Sequence, residues 1–309
     1  MPQVFLSGGL GNQLFQLAAA LANSKGPIIL NGTLGYPRSN ERDVPDILDF
    51  ELPSRVKVLN CRTCPAGIRD TSDLLLRASS SLKLKPKNVS RRIIISAGSV
   101  ILSLYLREIK KVRLSHGTGH LEFSPLDKKS VLFGFFHTYI FPEKLYETVD
   151  DLRNLKLVKT SPELKKIVNS LKSQKILVVH IRLGDYVNEP KLGILPPSYF
   201  ANAIQKACQE AEYDEIWIFS ASPDAAVNYV PRIFHKKIRM MEGVLKTPAE
   251  TLELMRYGDG FVISNSTFGW WGAFLSYKKV SNVYVPEPWF KSAANPIKMI
   301  PAGWKKINW

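Results

Sequence analysis

The chain opens on an apolar run, Val4-Phe5-Leu6, and then turns polar and glycine-rich through Ser7-Gly8-Gly9-Leu10-Gly11-Asn12. Over 13–23 the apolar residues Leu14, Leu17, Ala18 and Leu21 recur at helical spacing, and Ile28-Ile29-Leu30 reads as a second short strand. Strand, glycine turn, helix and strand in that order make one βαβ unit. From about Tyr36 to Asp150 the periodicity is mixed. Helices are expected near 71–82 and 93–108, and Val131-Leu132-Phe133-Gly134-Phe135-Phe136 reads as a buried strand.

Beyond a charged helix at 162–171 the pattern becomes regular. Ile176-Leu177-Val178-Val179-His180-Ile181 is a continuous apolar run of the kind buried on both faces of a parallel sheet. Further strands are expected at 215–220, 237–241, 260–264 and 283–285, separated by helices at 197–211, 223–229, 248–257 and 267–277. Thr247-Pro248-Ala249-Glu250 marks one helix start, with Thr247 as N-cap, proline in the first turn and Glu250 completing a capping box. Strands alternating with helices predict a doubly wound α/β domain. Ser173-Gln174-Lys175 is the expected boundary, which divides the chain into 1–172 and 173–309.

A length of 309 residues suits two domains, and 45% apolar with 22% charged residues is a soluble globular composition. The net charge of +15 implies attraction to anions, whether nucleic acid, an acidic membrane or a phosphorylated substrate. A nucleic-acid partner is not expected, because no basic helix carries interleaved aromatic residues. Cys61 and Cys64 form a C-x-x-C pair with no second pair or histidine cluster to complete a zinc site, and Cys208 falls in a helical pattern. No secretory signal is expected ahead of the first strand. The apolar stretch at 93–106, flanked by Arg91, Arg92 and Arg107, falls short of the roughly 20 residues needed to span a bilayer. A buried helix and an interfacial helix both fit it. The expected location is cytoplasmic, with peripheral association to the anionic inner face of the cell membrane left open.

Three polar clusters fall at the ends of expected strands: His180-Ile181-Arg182-Leu183-Gly184-Asp185-Tyr186, Ser220-Ala221-Ser222-Pro223-Asp224 and Ser264-Asn265-Ser266-Thr267-Phe268. In an open α/β sheet the ligand crevice lies beyond the carboxyl ends of the strands, so the three clusters point to one composite site. Ser266 and Thr267 open a helix, where free backbone N–H groups and the helix dipole suit a phosphate; the same residues would also serve as caps. Arg182 suits a pyrophosphate through paired hydrogen bonds, or an ion pair with Asp185. His180 reads as a catalyst or as a buried core residue. Trp270, Trp271 and Phe274 carry too much apolar area to stay exposed and are expected to be scaffold. The turn at Gly8-Gly9-Leu10-Gly11 lacks the G-x-G-x-x-G spacing and implies only a close backbone approach.

Gly8-Gly9-Leu10-Gly11-Asn12-Gln13-Leu14-Phe15-Gln16, the His180–Tyr186 segment and the Ile263–Gly272 segment together resemble the signature segments of glycosyltransferase family 11, the α-1,2-fucosyltransferases. The resemblance is to bacterial-type members without an N-terminal membrane anchor. It implies a GT-B-like fold of two Rossmann-like α/β domains facing a cleft, the first on the acceptor side and the second binding GDP-fucose. It implies inverting transfer of L-fucose from GDP-β-L-fucose to the 2-hydroxyl of a terminal galactoside in a glycan acceptor. By resemblance, His180, Arg182, Ser220, Asp224, Asn265, Ser266, Thr267 and Phe268 would bind the donor. Gly8, Gly9, Leu10, Asn12 and Gln13 would face the donor sugar or the acceptor. Arg182, Asp185 and His180 would be catalytic, with Asp185 or Glu189 as the base. The chain departs from the family's F-S-D-D-like segment at Phe219-Ser220-Ala221-Ser222-Pro223-Asp224. A non-catalytic nucleotide- or glycan-binding module is the alternative. No D-x-D pair occurs, so neither metal nor other cofactor is expected.

Overall fold

The structure, a computed structural model, describes residues 1–32, 44–60, 113–117, 119–122, 125–128, 130–171, 173–184, 189–241, 243–278 and 280–309. Asp185, the Cys61–Cys64 pair and the helices expected at 71–82 and 93–108 lie outside these residues. The chain forms two compact units: Met1–Pro45, Leu52–Phe136 and Phe141–Asp150 in the first, and Asp46–Glu51, His137–Ile140 and Asp151–Trp309 in the second.

The first unit is built on a parallel sheet of β1 (Gln3–Phe5), β2 (Ile28–Gly32), β3 (Val56–Asn60), β4 (Arg113–Gly117) and β5 (Ser130–Gly134), in the order β3-β2-β1-β5-β4. Helix α1 (Leu10–Asn23) follows β1 and buries Leu14, Phe15, Leu17 and Leu21. It begins at Leu10 rather than at 13, because Gly9 already serves as N-cap and its carbonyl accepts from the Asn12 and Gln13 amides. Its C-terminal carbonyls meet Arg55, whose guanidinium donates to Leu21 O and Ser24 O and pairs with Asp150. Strand order reverses between β1 and β5. Gln16, buried in α1, closes that point: it accepts from Ser7 N and donates to Gly134 O at the end of β5.

The second unit holds a six-stranded sheet in the order β11-β10-β9-β6-β7-β8, with every pair parallel. The strands are β6 (Ile176–His180), β7 (Glu215–Phe219), β8 (Ile238–Met240), β9 (Gly260–Ile263), β10 (Val283–Glu287) and β11 (Lys305–Asn308). The one-turn helix α2 (Ile140–Glu143) falls where the chain passes from His137–Ile140 of this unit back to Phe141–Asp150 of the first, and α3 (Pro162–Ser170) precedes the sheet in the chain. The connecting helices are α4 (Pro197–Glu210), the one-turn α5 (Pro223–Ala226), α6 (Pro248–Met255) and α7 (Thr267–Phe274). The architecture is the expected GT-B-like one, two Rossmann-like α/β units, the second doubly wound. β11 carries only Ile307 as a buried residue between exposed polar positions, so the apolar pattern gives it little signal.

The continuous C-terminal part of the second unit begins at Asp151, ahead of the boundary expected at 172/173. Segment 151–161 is tied into this unit by Arg256, which is 1% exposed and donates to Arg153 O and Leu155 O, and by Glu250, whose carboxylate accepts from Ser161 N. Glu250 therefore does not complete the expected capping box, although Thr247 caps α6 through Glu250 N. Residues 46–51 join the same unit because Glu51 N donates to Lys156 O and Val158 N to Asp49 O.

Candidate functional site

Strands β7, β6 and β9 are neighbours in register, with His180 opposite both Phe219 and Ile263. Their ends therefore bring Ser220, Ile181-Arg182 and Ser264 to one level of the sheet. Ile181 N donates to Phe219 O, and Ser264 N to His180 O. The chain runs from β6 outward to β7 and β8 and only then returns to β9 on the other side of β6. The chain's winding reverses at the β6–β9 pair, which makes it a topological switch point, the place beyond whose strand ends ligands bind in open α/β sheets. His180-Ile181-Arg182 and Ser264–Thr267 stand on its two sides.

His180 ends β6 almost wholly buried, with Nδ1 2.9 Å from Ser264 Oγ. Burial, and then the positive charge of Arg182, push its pKa down to about 3. It is a neutral imidazole at physiological pH, able to share hydrogen bonds but not to offer a positive charge. Its ring lies against the first turn of α7: a Cβ on Gly269 would sit 2.9 Å from His180 Nδ1, and the Phe268 ring is 5.9 Å away. The glycine allows the helix start to approach the strand end closely.

At the start of α7, Ser266 occupies the N-cap position with extended backbone, but its side chain makes no capping bond. The capping role open to Ser266 from its sequence position is thus not taken up. Ser266 is buried, while Thr267 and Phe268 are partly exposed. Trp270 and Trp271 are fully buried. Trp270 donates to Met299 O and stacks on Phe274 at 4.5 Å, so these aromatics anchor the helix as expected. Arg182 is partly buried, and Ser220 is buried with its hydroxyl accepting from Ser222 N. Asp224 lies exposed on the four-residue α5.

Asn265 is 1% exposed, and its Nδ2 donates to Leu192 O at 3.0 Å and Gly193 O at 3.1 Å. Both amide hydrogens are committed to the protein, so the expected donor contact is not available to its N–H groups. Sequence reasoning missed Tyr199, whose buried hydroxyl donates to Ile263 O at the end of β9. It also missed Ser264 as the partner of His180. The strand register could have found the second, because it sets Ile263 beside His180.

In the first unit Gly8 has φ +74°, and a Cβ there would meet Asn12 Nδ2 at 2.3 Å. Gly9 is exposed with open space where a Cβ would stand. Leu10 and Gln13, which the resemblance set facing the donor sugar or the acceptor, are buried in the folded chain, and Gln13 donates to Gly8 O, holding the turn. Of the expected residues here, Gly8, Gly9 and Asn12 keep surface exposure. No group of His, Cys, Asp and Glu that could hold a metal ion occurs among the described residues.

The model of the family described as "Glycosyl transferase family 11" matches residues 79–308. An Escherichia coli alpha-1,2-colitosyltransferase is 25% identical over 98% of this chain and 97% of its own length. The E. coli O-antigen biosynthesis glycosyltransferase WbnK is 27% identical over 97% of this chain and 98% of its own. Among solved structures, fucosyltransferase NodZ from Bradyrhizobium is similar with a TM-score of 0.50 at 12% identity, covering 91% of this chain and 94% of NodZ, a likeness of fold. A family model matched from the middle of the first unit nearly to the end of the second, over a fold of two parallel α/β sheets with a polar switch point, places the chain in glycosyl transferase family 11, whose members are glycosyltransferases.

Proposed function

We propose that this glycosyltransferase moves L-fucose from GDP-β-L-fucose to the 2-hydroxyl of a terminal galactoside, forming an α-1,2 linkage with inversion and without a metal ion. The observation that carries the reading is the β6–β9 switch point, where Arg182 and the start of α7 flank one crevice. As the acceptor oxygen attacks the anomeric carbon, its proton passes to a carboxylate base, for which Asp185 and Glu189 are the candidates, the bond to the β-phosphate oxygen breaks and negative charge grows on leaving GDP. Arg182 and the N–H groups opening α7 stabilise that charge. Ser266, with no capping bond to give up, and Thr267 add hydroxyls to the phosphate cradle, and Phe268 offers a ring face to the nucleoside. His180 serves as a neutral contact, and Ser220 and Asp224 stand on the far side of the crevice. The net charge of +15 favours approach of the anionic donor.

The name of the colitosyl relative supports the α-1,2 linkage and supplies a second donor to test, since colitose lacks one ring hydroxyl that L-fucose carries. Turnover of GDP-fucose and GDP-colitose with a panel of galactosides, with linkage read by NMR, distinguishes them. In the same assay Arg182→Ala should lose about a hundredfold or more of kcat/KM while its circular dichroism stays native. Activity should persist in excess chelator. Near-normal turnover by the Arg182 variant, or a strict requirement for a divalent ion, would overturn the mechanism. GDP binding with no turnover on any acceptor would favour the non-catalytic alternative.

A further inference from the structure

The segment Glu189–Gly193, which follows β6 in the chain, does not stay above its own strand. Leu192 O accepts from Asn265 Nδ2, beyond the end of β9, and also from Lys291 N, beyond the end of β10, at 3.1 Å. Lys191 O accepts from Ser292 N and Ala293 N at 3.0 and 3.1 Å. β10 neighbours β9 on the side away from β6, so the segment runs as a strap across two strand ends. At its far end Gly193 has φ +78°, and a Cβ there would lie 2.6 Å from the Trp309 ring and 2.8 Å from Lys291 Cβ. Trp309 is itself held by a bond from its indole nitrogen to Pro288 O.

From the switch point itself, the side chain of Asn265 reaches the strap. A primary amide nitrogen carries two hydrogens, and here each is aimed at one of two successive strap carbonyls. Aspartate has the same shape but no hydrogens, and would set a carboxylate oxygen against both carbonyls. Asn265 also lies between Ser264, which holds His180, and Ser266, which opens α7. A change at the strap is therefore coupled to the crevice through adjacent backbone.

We propose that Asn265 is a positioning residue of the donor site: its amide latches Glu189–Gly193 across the ends of β9 and β10 and thereby fixes one wall of the crevice, without itself binding the donor. The inference rests on the donor-site reading above for its role, but not for the latch.

The test uses the full chain with two variants, Asn265→Asp, which removes the latch, and Gly193→Ala, which strains the strap from its other end. Amide exchange is measured first, without ligand. In both variants the Lys291, Ser292 and Ala293 amides, which donate to the strap, should lose about tenfold or more of their protection, while Trp270 in α7 keeps its own. Kinetics with GDP-fucose should show donor KM raised about tenfold with kcat within about twofold, the split expected when ground-state and transition-state binding fall together. Unchanged protection in Asn265→Asp overturns the latch. Lost protection with unchanged KM overturns its role in the donor site. Weakened GDP binding with full protection would make Asn265 a direct ligand and also overturn the proposal. If Asn265→Asp does not fold, Gly193→Ala carries the same readouts. Because exchange is read on ligand-free protein, the latch is decided even if GDP-fucose proves the wrong donor, which wild-type turnover decides separately.

Discussion

His180 illustrates how far one residue can be read before its neighbours are known. Its place at the end of an apolar strand indicates burial, and the structure adds Ser264 at 2.9 Å and the positive charge of Arg182. The folded-state pKa of about 3 lies below the ordinary histidine value of 6.5. The unfolded chain therefore takes up a proton first as pH falls. The stability tied to the neutral ring is complete above 6.5 and is lost progressively toward 3. Between pH 6.5 and about 5 the wild type should lose ~2 kcal/mol that His180→Gln does not, as read by urea unfolding at each pH. A parallel pH dependence in the two proteins would show that the ring is protonated in the fold. The donor and acceptor roles of Asn265 and Gln13 were illegible in sequence for a related reason. An amide in a polar motif has the same composition whether it faces a ligand or a backbone carbonyl, and only the approach of Leu192, Gly193 or Gly8 decides which.

At the scale of elements, the strands and helices of the second half were legible because each buried strand is a nearly continuous apolar run and each helix has its own start signal. Pro162, Pro197 and Pro248 stand in the first turns of α3, α4 and α6, with Ser161 and Thr247 capping two of them. Helix α7 follows a different rule. Its start has no side-chain cap, and it is fixed by buried aromatics and by close approach to β6. Gly269→Ala would drive a Cβ to within 2.9–3.2 Å of the buried His180 ring, and should destabilise the protein by about 1–3 kcal/mol. Gly272→Ala meets mainly the Met255 side chain, whose terminal methyl can move away, and should cost less. Thermal unfolding of the two variants makes the comparison. An equal or reversed ranking would mean that the α7–β6 contact is not tight.

At the scale of the molecule, the division of the chain depends on contacts that no local pattern announces. Arg256 is buried with its guanidinium bonded to Leu155 O, Arg153 O and Leu275 O, paired with Glu253, and 4.0 Å from the Tyr277 ring centroid. Arg256→Leu would leave three carbonyls and a carboxylate without this partner, and should destabilise the second unit by ~3–5 kcal/mol in urea unfolding. Arg256→Lys should recover only part, because an ammonium cannot reproduce the planar fork. A loss below about 1 kcal/mol in the leucine variant would deny Arg256 this role. What the sequence alone determined is what hydrophobic periodicity and strand-end chemistry determine: an α/β chain, a parallel C-terminal sheet, polar clusters at three strand ends, and family signatures in the expected order. Those signals are local, because burial on both faces of a strand and the start of a helix are written within about a dozen residues. The tertiary structure alone decided the strand order that makes β6 and β9 a switch point, the assignment of residues 46–51 and 151–172 to the second unit, the neutral state of His180, and the use of Asn265 as a latch. Each of these depends on a hydrogen bond or a packing contact between residues far apart in the chain, which local periodicity does not encode.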